Sequence, residues 1–210
     1  MLFKNYIWDF DGTLVDTYPA TINSIIKTMN KYNITLDYDL IYKKAKITLS
    51  EVFDYIIENY GFDDNIVNEI INDFSNLDPS DRKPYENIKN VLESVIKNYG
   101  NNFLITHRDQ KSTLEMLNHF KLKKYFKQII TSDDGFNLKP DPNSFNFLIN
   151  TYNLNLNDTV GIGDRKLDID AAKNSNIYSI FMNFDKIEID YKSDYIFTNY
   201  NDFYNKIILG

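Results

Sequence analysis

Four aspartates in two short segments carry the clearest chemistry in this sequence. Asp9 and Asp11 lie two positions apart in DFDGTLVDT, and Asp164 and Asp168 lie in GIGDRKLD; each segment follows an apolar run. Two carboxylates this close repel each other unless a cation or a shared proton compensates them. Mg²⁺ prefers carboxylate oxygens and water as ligands. The two segments together therefore predict a magnesium site at which all four aspartates meet.

Glycines mark both segments, although the whole chain contains only seven. Gly12 lies in the first segment, and Gly161 and Gly163 lie in the second. In open α/β sheets, ligands gather beyond the carboxyl ends of the strands, where glycines let the backbone approach closely. GIGDRK is not a dinucleotide fingerprint, because Lys166 stands where GxGxxG requires its third glycine. For GIGD alone, a tight turn between a strand and a helix is an equally good interpretation.

The elements that must position these residues are short apolar runs that alternate with helix-period segments. The runs predict buried strands at 2–9, 102–106, 128–131, 159–162 and 178–182, and an edge strand at 194–197. Helices are predicted at 87–97, 111–119, 142–152, 166–174 and 200–208. Strands that alternate with helices in this way predict an α/β fold, a Rossmann-like doubly wound parallel sheet that is covered on both faces.

The segment 17–85 differs from the rest, because its apolar residues follow helical spacing and no convincing strand interrupts them. Ile22, Ile25, Ile26 and Met29 share one helical face, and similar sets recur near residues 52–57 and 66–74. DPSDRKP at 78–84 is typical of a return connection. We expect an all-helical domain at 17–85 inserted into a core formed by 1–16 and 86–210.

Composition and charge exclude several classes of protein. The 210 residues include 23 Lys and Arg against 30 Asp and Glu, which gives a net charge of −7 and argues against nucleic-acid binding. The absence of Cys removes disulfides, thiolate metal sites and cysteine nucleophiles. Without a signal-like N-terminus or a membrane-length apolar run, the expectation is a cytoplasmic protein with no membrane contact.

DFDGTLVDT resembles the first signature, DxDGTxxD, of the haloacid dehalogenase superfamily of phosphotransferases. Three further signatures follow in the family's order: Thr106 after the apolar run FLI, Lys139 in LKPDP, and Asp164 with Asp168 in the GDxxxD form. A helical insertion between the first two signatures is similar to the C1 cap of the phosphoglycolate-phosphatase-like branch. The resemblance covers essentially the whole chain.

This resemblance implies a role for each matching residue. Asp9 would be the nucleophile that forms an aspartyl-phosphate, and Asp11 would be the general acid and base. Thr106 and Lys139 would bind and neutralise the phosphoryl group. Asp9, the backbone carbonyl of Asp11 and Asp164 would bind Mg²⁺, with Asp168 holding a metal-bound water. The backbone N–H groups that follow Asp9 and Thr106, including the loop at Gly12, would cradle phosphate oxygens.

His107 and Arg108 follow Thr106 directly, and their place predicts contact with the substrate or phosphate at the mouth of the site. The alternative interpretation is that they are a loop histidine and a surface arginine with no functional role. The implied substrate is a small phosphorylated metabolite, and the chain is expected to be a monomer or a homodimer.

Other functions remain open from the sequence. A phosphosugar mutase of the β-phosphoglucomutase type shares the core, although no Arg-bearing cap motif of that type is present. A receiver-like phosphoacceptor module combines similar residues, but it lacks DxDGT and a large insertion. A non-catalytic interaction protein on the same fold is a third alternative. Asp11 argues against halide chemistry, since the dehalogenases of the superfamily lack this acid.

Overall fold

A computed structural model describes residues 1–210, and the chain forms two units: residues 1–15 with 84–210, and residues 16–83. The boundaries predicted from the sequence, 16/17 and 85/86, lie one and two residues further along the chain. Two short strands, Val15–Asp16 and Lys83–Pro84, occupy the junctions. They are too short to leave an apolar pattern in the sequence.

The regular elements alternate through the first unit and are all helical within the second. The strands of the main sheet are β1 (Asn5–Trp8), β2 (Asn101–Ile105), β3 (Phe126–Ile130), β4 (Thr159–Gly163), β5 (Tyr178–Met182) and β6 (Tyr195–Phe197). The helices are α1 (Tyr18–Asn30), α2 (Tyr38–Ile47), α3 (Leu49–Tyr60), α4 (Asp64–Ser75), α5 (Ile88–Lys97), α6 (Gln110–His119), α7 (Asn143–Thr151), α8 (Lys166–Asn174) and α9 (Tyr200–Phe203).

The six strands form one parallel sheet in the order β3-β2-β1-β4-β5-β6. The chain runs outward from β1 through β2 to β3, then returns beside β1 at β4 and runs outward the other way. The strand order therefore reverses between β1 and β4, which is where open α/β sheets form a crevice at their carboxyl edge.

Side chains of β1 and β2 alternate between two apolar clusters, one on each face of the sheet. In β1, Tyr6 and Trp8 belong to one cluster and Ile7 to the other. Residues of α5, α6 and α9 complete the first cluster, and residues of α7 and α8 complete the second. The predicted fold class, a doubly wound α/β sheet covered on both faces, is confirmed.

The second unit has its own hydrophobic core, built from α1 to α4. Ile22, Ile25 and Ile56 are among its fully buried residues. Thr48 ends α2 and caps α3, since its hydroxyl accepts the N–H of Glu51 at 3.2 Å. Gly61 ends α3 in the left-handed conformation, with φ of 70°, that favours glycine.

Several element bounds differ from those that the sequence predicts. β1 starts at Asn5 and not at residue 2, because the N–H of Leu2 donates to Ile207 O instead of joining the sheet. The predicted closing helix is α-helical only over α9 and continues as a π-helix, Tyr204–Leu209. Helix α2 lies inside the predicted helical domain but had no predicted apolar face, since only Ile41 and Ala45 of its ten residues are buried. No helix combines the length and apolar character that crossing a membrane requires.

Candidate active site

The predicted site residues follow the carboxyl ends of three adjacent strands. Asp9 follows β1, Thr106 follows β2 and Asp164 follows β4. Because β1 lies between β2 and β4 in the sheet, the side chains of these residues emerge at one edge. The pairing continues past the strand ends, since the N–H of Asp9 donates to Ile162 O at 2.8 Å. The sheet therefore fixes the backbone on which the site is built.

Three aspartates gather into one buried cluster. Asp9, Asp164 and Asp168 each offer a carboxylate oxygen within 4.8 Å of the others, and all three residues are buried. The hydroxyl of Thr13 lies 3.4 Å from Asp9 Oδ2 and 3.5 Å from Asp164 Oδ1. The carboxylate of Asp11, the fourth predicted residue, is not part of this cluster.

Lys139 reaches into the same cluster from the loop before α7. Its ammonium donates to Asp9 Oδ1 at 2.5 Å and to Asp168 Oδ1 at 2.6 Å, and a third hydrogen bond reaches Ile105 O at 3.2 Å. The side chains of all three ionised groups are at most 3% exposed. A buried ammonium held by two carboxylates is a strong, directional arrangement that depends on every partner staying in place.

Burial and neighbouring charges perturb the titration of these groups. Burial raises the pKa of Asp9 to about 6, although Lys139 opposes the shift and Asp168 adds to it. Burial by itself lowers the pKa of Lys139, but the carboxylates of Asp168 and Asp9 outweigh it, so the pKa is raised. Lys139 therefore stays charged at neutral pH, whereas ionised Asp9 lacks full compensation.

The charge balance of the cluster fits a divalent cation. Three carboxylates stand against the one ammonium of Lys139, and Arg165 adds a longer-range positive field that lowers the pKa of Asp9. Oxygen ligands only, close together and buried with an excess of negative charge, are what a hard cation such as Mg²⁺ prefers. Asp9 and Asp164, with Asp168 beside them, could hold it.

Asp11 lies beside the cluster and is paired with Arg108. The guanidinium of Arg108 donates from Nη2 to Asp11 Oδ1 at 2.6 Å and from Nε to Oδ2 at 3.2 Å, a fork-like arrangement. The side chain of Arg108 is 13% exposed and that of Asp11 is 25% exposed. This predicted substrate-binding arginine is thus next to the predicted acid and base, on the accessible side of the site.

The remaining predicted residues lie in the loops around the cluster. The Thr106 hydroxyl accepts the N–H of Arg108 at 3.1 Å and is buried. Gly12 adopts φ of 77°, and its N–H donates to Val15 O at 2.8 Å, so it shapes the tight turn after β1. His107 is half-buried, and its Nε2 accepts the backbone N–H of Lys139 at 2.7 Å.

The glycines of GIGD serve packing between β4 and α8. A Cβ on Gly161 would lie 2.6 Å from the Cβ of Ala172. A Cβ on Gly163 would lie 2.2 Å from the Cβ of Asp168 and 2.4 Å from its Oδ2. These glycines let α8 approach β4 closely, and they therefore position Asp168. The close approach that they allow is between two elements of the protein.

Sequence reasoning missed two residues of the site. Thr13 lies in the DGT part of the first signature and contacts two aspartates. Arg165 follows Asp164 directly, and its charge acts on Asp9, Lys139 and His107. The position of Arg165 directly after Asp164 in GIGDRK was the available signal for Arg165, and the DGT of the first signature was the available signal for Thr13.

Comparisons with known proteins identify the family of the chain. The family model described as haloacid dehalogenase-like hydrolase matches residues 6–182. The chain is 28% identical to pyrophosphatase PpaX of Bacillus cereus over 186 residues, covering 83% of this chain and 81% of the relative. It is 26% identical to a phosphorylated carbohydrates phosphatase of Thermotoga maritima over 182 residues, covering 83% and 82%. The crystal structure of a predicted phosphoglycolate phosphatase from Haemophilus somnus superposes with a TM-score of 0.83 at 20% identity, covering 98% of both chains, and shows the shared fold.

Proposed function

The chain belongs to the haloacid dehalogenase-like hydrolase family and is a phosphatase, and from this premise we propose that it hydrolyses a small phosphate monoester through an aspartyl-phosphate, with Mg²⁺ as its cation. The observation that carries the proposal is the buried cluster of Asp9, Asp164 and Asp168 with Lys139 hydrogen-bonded across it. Such a cluster combines an anionic nucleophile, a set of cation ligands and a fixed positive charge at one point.

Asp9 is the proposed nucleophile. One of its carboxylate oxygens attacks phosphorus in line with the ester oxygen; the new bond joins phosphorus to Asp9, and the bond to the ester oxygen breaks. Asp11 donates a proton to the departing oxygen. In the second step Asp11 takes a proton from a water molecule that attacks phosphorus, so inorganic phosphate leaves and the Asp9 carboxylate is regenerated.

The other residues hold charge and orientation in both steps. Lys139 neutralises negative charge on Asp9 and on the phosphoryl oxygens, and Thr106 offers its hydroxyl to one of those oxygens. A bound Mg²⁺ would supply Lewis-acid polarisation of the phosphoryl group and would keep Asp9 ionised. Arg108 holds Asp11, and in the proposal it exchanges part of that contact for a substrate oxygen.

The substrate class follows from the relatives only at a coarse level. Their names give pyrophosphate and phosphorylated carbohydrates, and the Haemophilus structure is named for phosphoglycolate. A small phosphorylated metabolite is the common denominator, and we propose that the helical unit, residues 16–83, acts as the cap that selects it.

The proposal is tested by a screen of phosphorylated metabolites and p-nitrophenyl phosphate for inorganic phosphate release, with and without Mg²⁺. We expect release only with Mg²⁺, and we expect Asp9→Asn to abolish it, because an amide cannot act as the nucleophile. Asp54→Asn makes the same chemical change at an exposed position of α3 and should leave turnover unchanged.

Retained turnover in well-folded Asp9→Asn protein would overturn the nucleophile assignment. Conversion of one sugar phosphate into an isomer, with no net release of phosphate, would instead identify a mutase. Absence of any phosphate release and of any isomer would favour a non-catalytic or receiver-like role.

A further inference from the structure

The imidazole of His107 and the backbone of Lys139 meet at a hydrogen bond that the proposed chemical steps do not use. His107 follows the end of β2, and Lys139 lies in the loop between Gly135 and α7, 32 positions further along the chain. The backbone N–H of Lys139 donates to His107 Nε2 at 2.7 Å. Since a peptide N–H can only donate, Nε2 must carry a lone pair and the ring proton must be on Nδ1.

The surroundings of His107 favour this neutral form. Burial, together with the positive charges of Lys139 and Arg165, lowers the pKa of His107 to about 3, although Asp11 opposes the shift. The ring is therefore uncharged throughout the neutral range. A neutral ring with a fixed tautomer is suited to accepting one particular hydrogen bond.

The loop that carries Lys139 has few other ways to attach its backbone. Pro140 and Pro142 have no N–H to donate, and the N–H of Asp141 donates within the loop to Leu138 O at 3.0 Å. From Lys139 to Pro142, the amide of Lys139 is thus the one backbone donor that bonds outside the loop. On the acceptor side, Pro140 O receives a bond from Asn174 Nδ2 at 3.1 Å.

Both ends of Lys139 are held by the same short stretch at the end of β2. Ile105 O accepts a hydrogen bond from the ammonium at 3.2 Å, and His107 accepts one from the backbone amide. His107 therefore holds the backbone of Lys139, and Ile105 helps to hold its ammonium. The short distances from Nζ to Asp9 and Asp168, 2.5 and 2.6 Å, leave little room for displacement.

We propose that His107 is a positioning residue that acts through Lys139: as a neutral acceptor it anchors the backbone of the loop and so places the ammonium between Asp9 and Asp168. The catalytic consequence rests on the proposed function, in which Lys139 neutralises the transferring phosphoryl group. The proposal gives His107 a different role from the direct substrate contact that the sequence predicts.

The hydrogen bond itself can be tested without turnover, by nuclear magnetic resonance of protein labelled with nitrogen-15 in histidine and lysine. The chain contains only two histidines, and His119→Gln removes the signal of the exposed one. We expect an unprotonated Nε2, a protonated Nδ1, and a nitrogen–nitrogen coupling through the hydrogen bond to the amide of Lys139. A proton on Nε2 at neutral pH would overturn the proposal.

The consequence for catalysis is tested with two variants of similar size. His107→Leu removes the acceptor, and His107→Gln keeps an acceptor oxygen near the position of Nε2. We expect His107→Leu to lower kcat by about 10- to 100-fold, the scale expected when a catalytic group is misplaced by about 1 Å. KM should change far less, and His107→Gln should recover most of the loss.

A purely structural role would predict other results. Both variants would then lose thermal stability without a selective loss of kcat in His107→Leu, and that outcome would overturn the positioning role. His119→Gln serves as the activity control. If the wild-type protein released no phosphate from any monoester, the proposed function and the catalytic consequence would both fail, whereas the nitrogen spectrum would still confirm or overturn the hydrogen bond.

Discussion

Asp9 has two requirements that conflict if it is the nucleophile. As the proposed nucleophile it must be ionised, yet its burial raises its pKa to about 6. A carboxyl group whose pKa is higher in the folded state than its ordinary value of 3.8 contributes most stability below that value, and the contribution is lost as pH rises through about 6. Ionised Asp9 therefore costs stability at neutral pH until a positive charge compensates it.

This conflict predicts that protons and Mg²⁺ compete for Asp9. The Mg²⁺ concentration for half-maximal phosphate release should be nearly constant above about pH 7 and should rise below about pH 6, approaching about tenfold per pH unit for one displaced proton. Activity titrations with Mg²⁺ at several pH values measure it. Thermal unfolding provides a second readout, since Mg²⁺ should raise Tm more at about pH 8 than at about pH 5.

A half-maximal Mg²⁺ concentration that does not change across this range would contradict the assignment of Asp9 as a ligand. Asp54→Asn should follow the wild-type curve, because Asp54 is an exposed residue of α3 outside the site.

At the scale of elements, the contact between β4 and α8 determines where Asp168 lies. Gly163 ends the strand and Asp168 lies in the first turn of the helix, and the two are too close for any side chain between them. Asp168 in turn holds Lys139 through Oδ1 and accepts the N–H of Arg165 at Oδ2. The packing of β4 against α8 therefore also determines where the ammonium of Lys139 lies.

We predict that Gly163→Ala lowers activity because its methyl group displaces Asp168. Overpacking of this kind typically costs about 1–3 kcal/mol of unfolding free energy, and we expect at least about a tenfold loss of kcat because Lys139 loses its geometry. Steady-state kinetics and denaturant unfolding measure the two effects.

Gly61→Ala is the matched control. A Cβ at Gly61 meets no atom within 4 Å, but φ of 70° strains an alanine there. This variant should lose some stability and keep its kcat. If Gly163→Ala kept full activity, the close approach of Asp168 to β4 would not be needed for catalysis.

The sequence predicts elements well where packing follows a simple period. α8 and β5 have the predicted bounds, since α8 buries Ile169, Ala171 and Ala172 near its centre and the last four residues of β5 are all buried. Helix α2 lies inside the predicted helical domain, but its bounds had no signal because its Lys-rich sequence buries few residues. The contact between His107 and Lys139 could not be predicted either, since it depends on how a loop folds back over the end of a strand 32 positions away.

At the scale of the whole molecule, each apolar cluster belongs to only one of the two units of the chain. The two clusters of the sheet contain residues only from the first unit, and the cluster of α1 to α4 contains residues only from the second. The two points of the first unit between which the insertion lies are close together, because the N–H of Tyr85 donates to Leu14 O at 3.0 Å. A short linker can therefore bridge this gap.

This division predicts that the first unit folds when residues 16–83 are replaced by a short Gly-Ser linker. The shortened protein should unfold in one cooperative transition, followed by circular dichroism, and it should be monodisperse in gel filtration. If the helical unit selects the substrate, the shortened protein should keep some hydrolysis of p-nitrophenyl phosphate and lose discrimination among metabolites. Absence of a cooperative transition would contradict the independence of the two cores.

The family signatures explain why the fold class and the assembly of Asp9, Asp164, Asp168 and Lys139 were predictable from sequence. Each lies in a motif that the order of strands brings to one edge of the sheet. The pairing of Asp11 with Arg108 was not, because a fork-like contact between two loops depends on side-chain conformations that no periodicity records.

The position of β1 in the middle of the sheet has a consequence for the synthesis of the protein. β1 is made before its neighbour β4, which lies more than 150 residues later, and the hydroxyl of Tyr200 donates to Thr13 O, 187 positions away. The second edge of the strand that precedes Asp9 therefore stays uncovered until β4 has left the ribosome. A chain that stops before β4 would leave that edge exposed and would lack Asp164 and Asp168, so the proposed activity would appear only after β4 and α8 have been made.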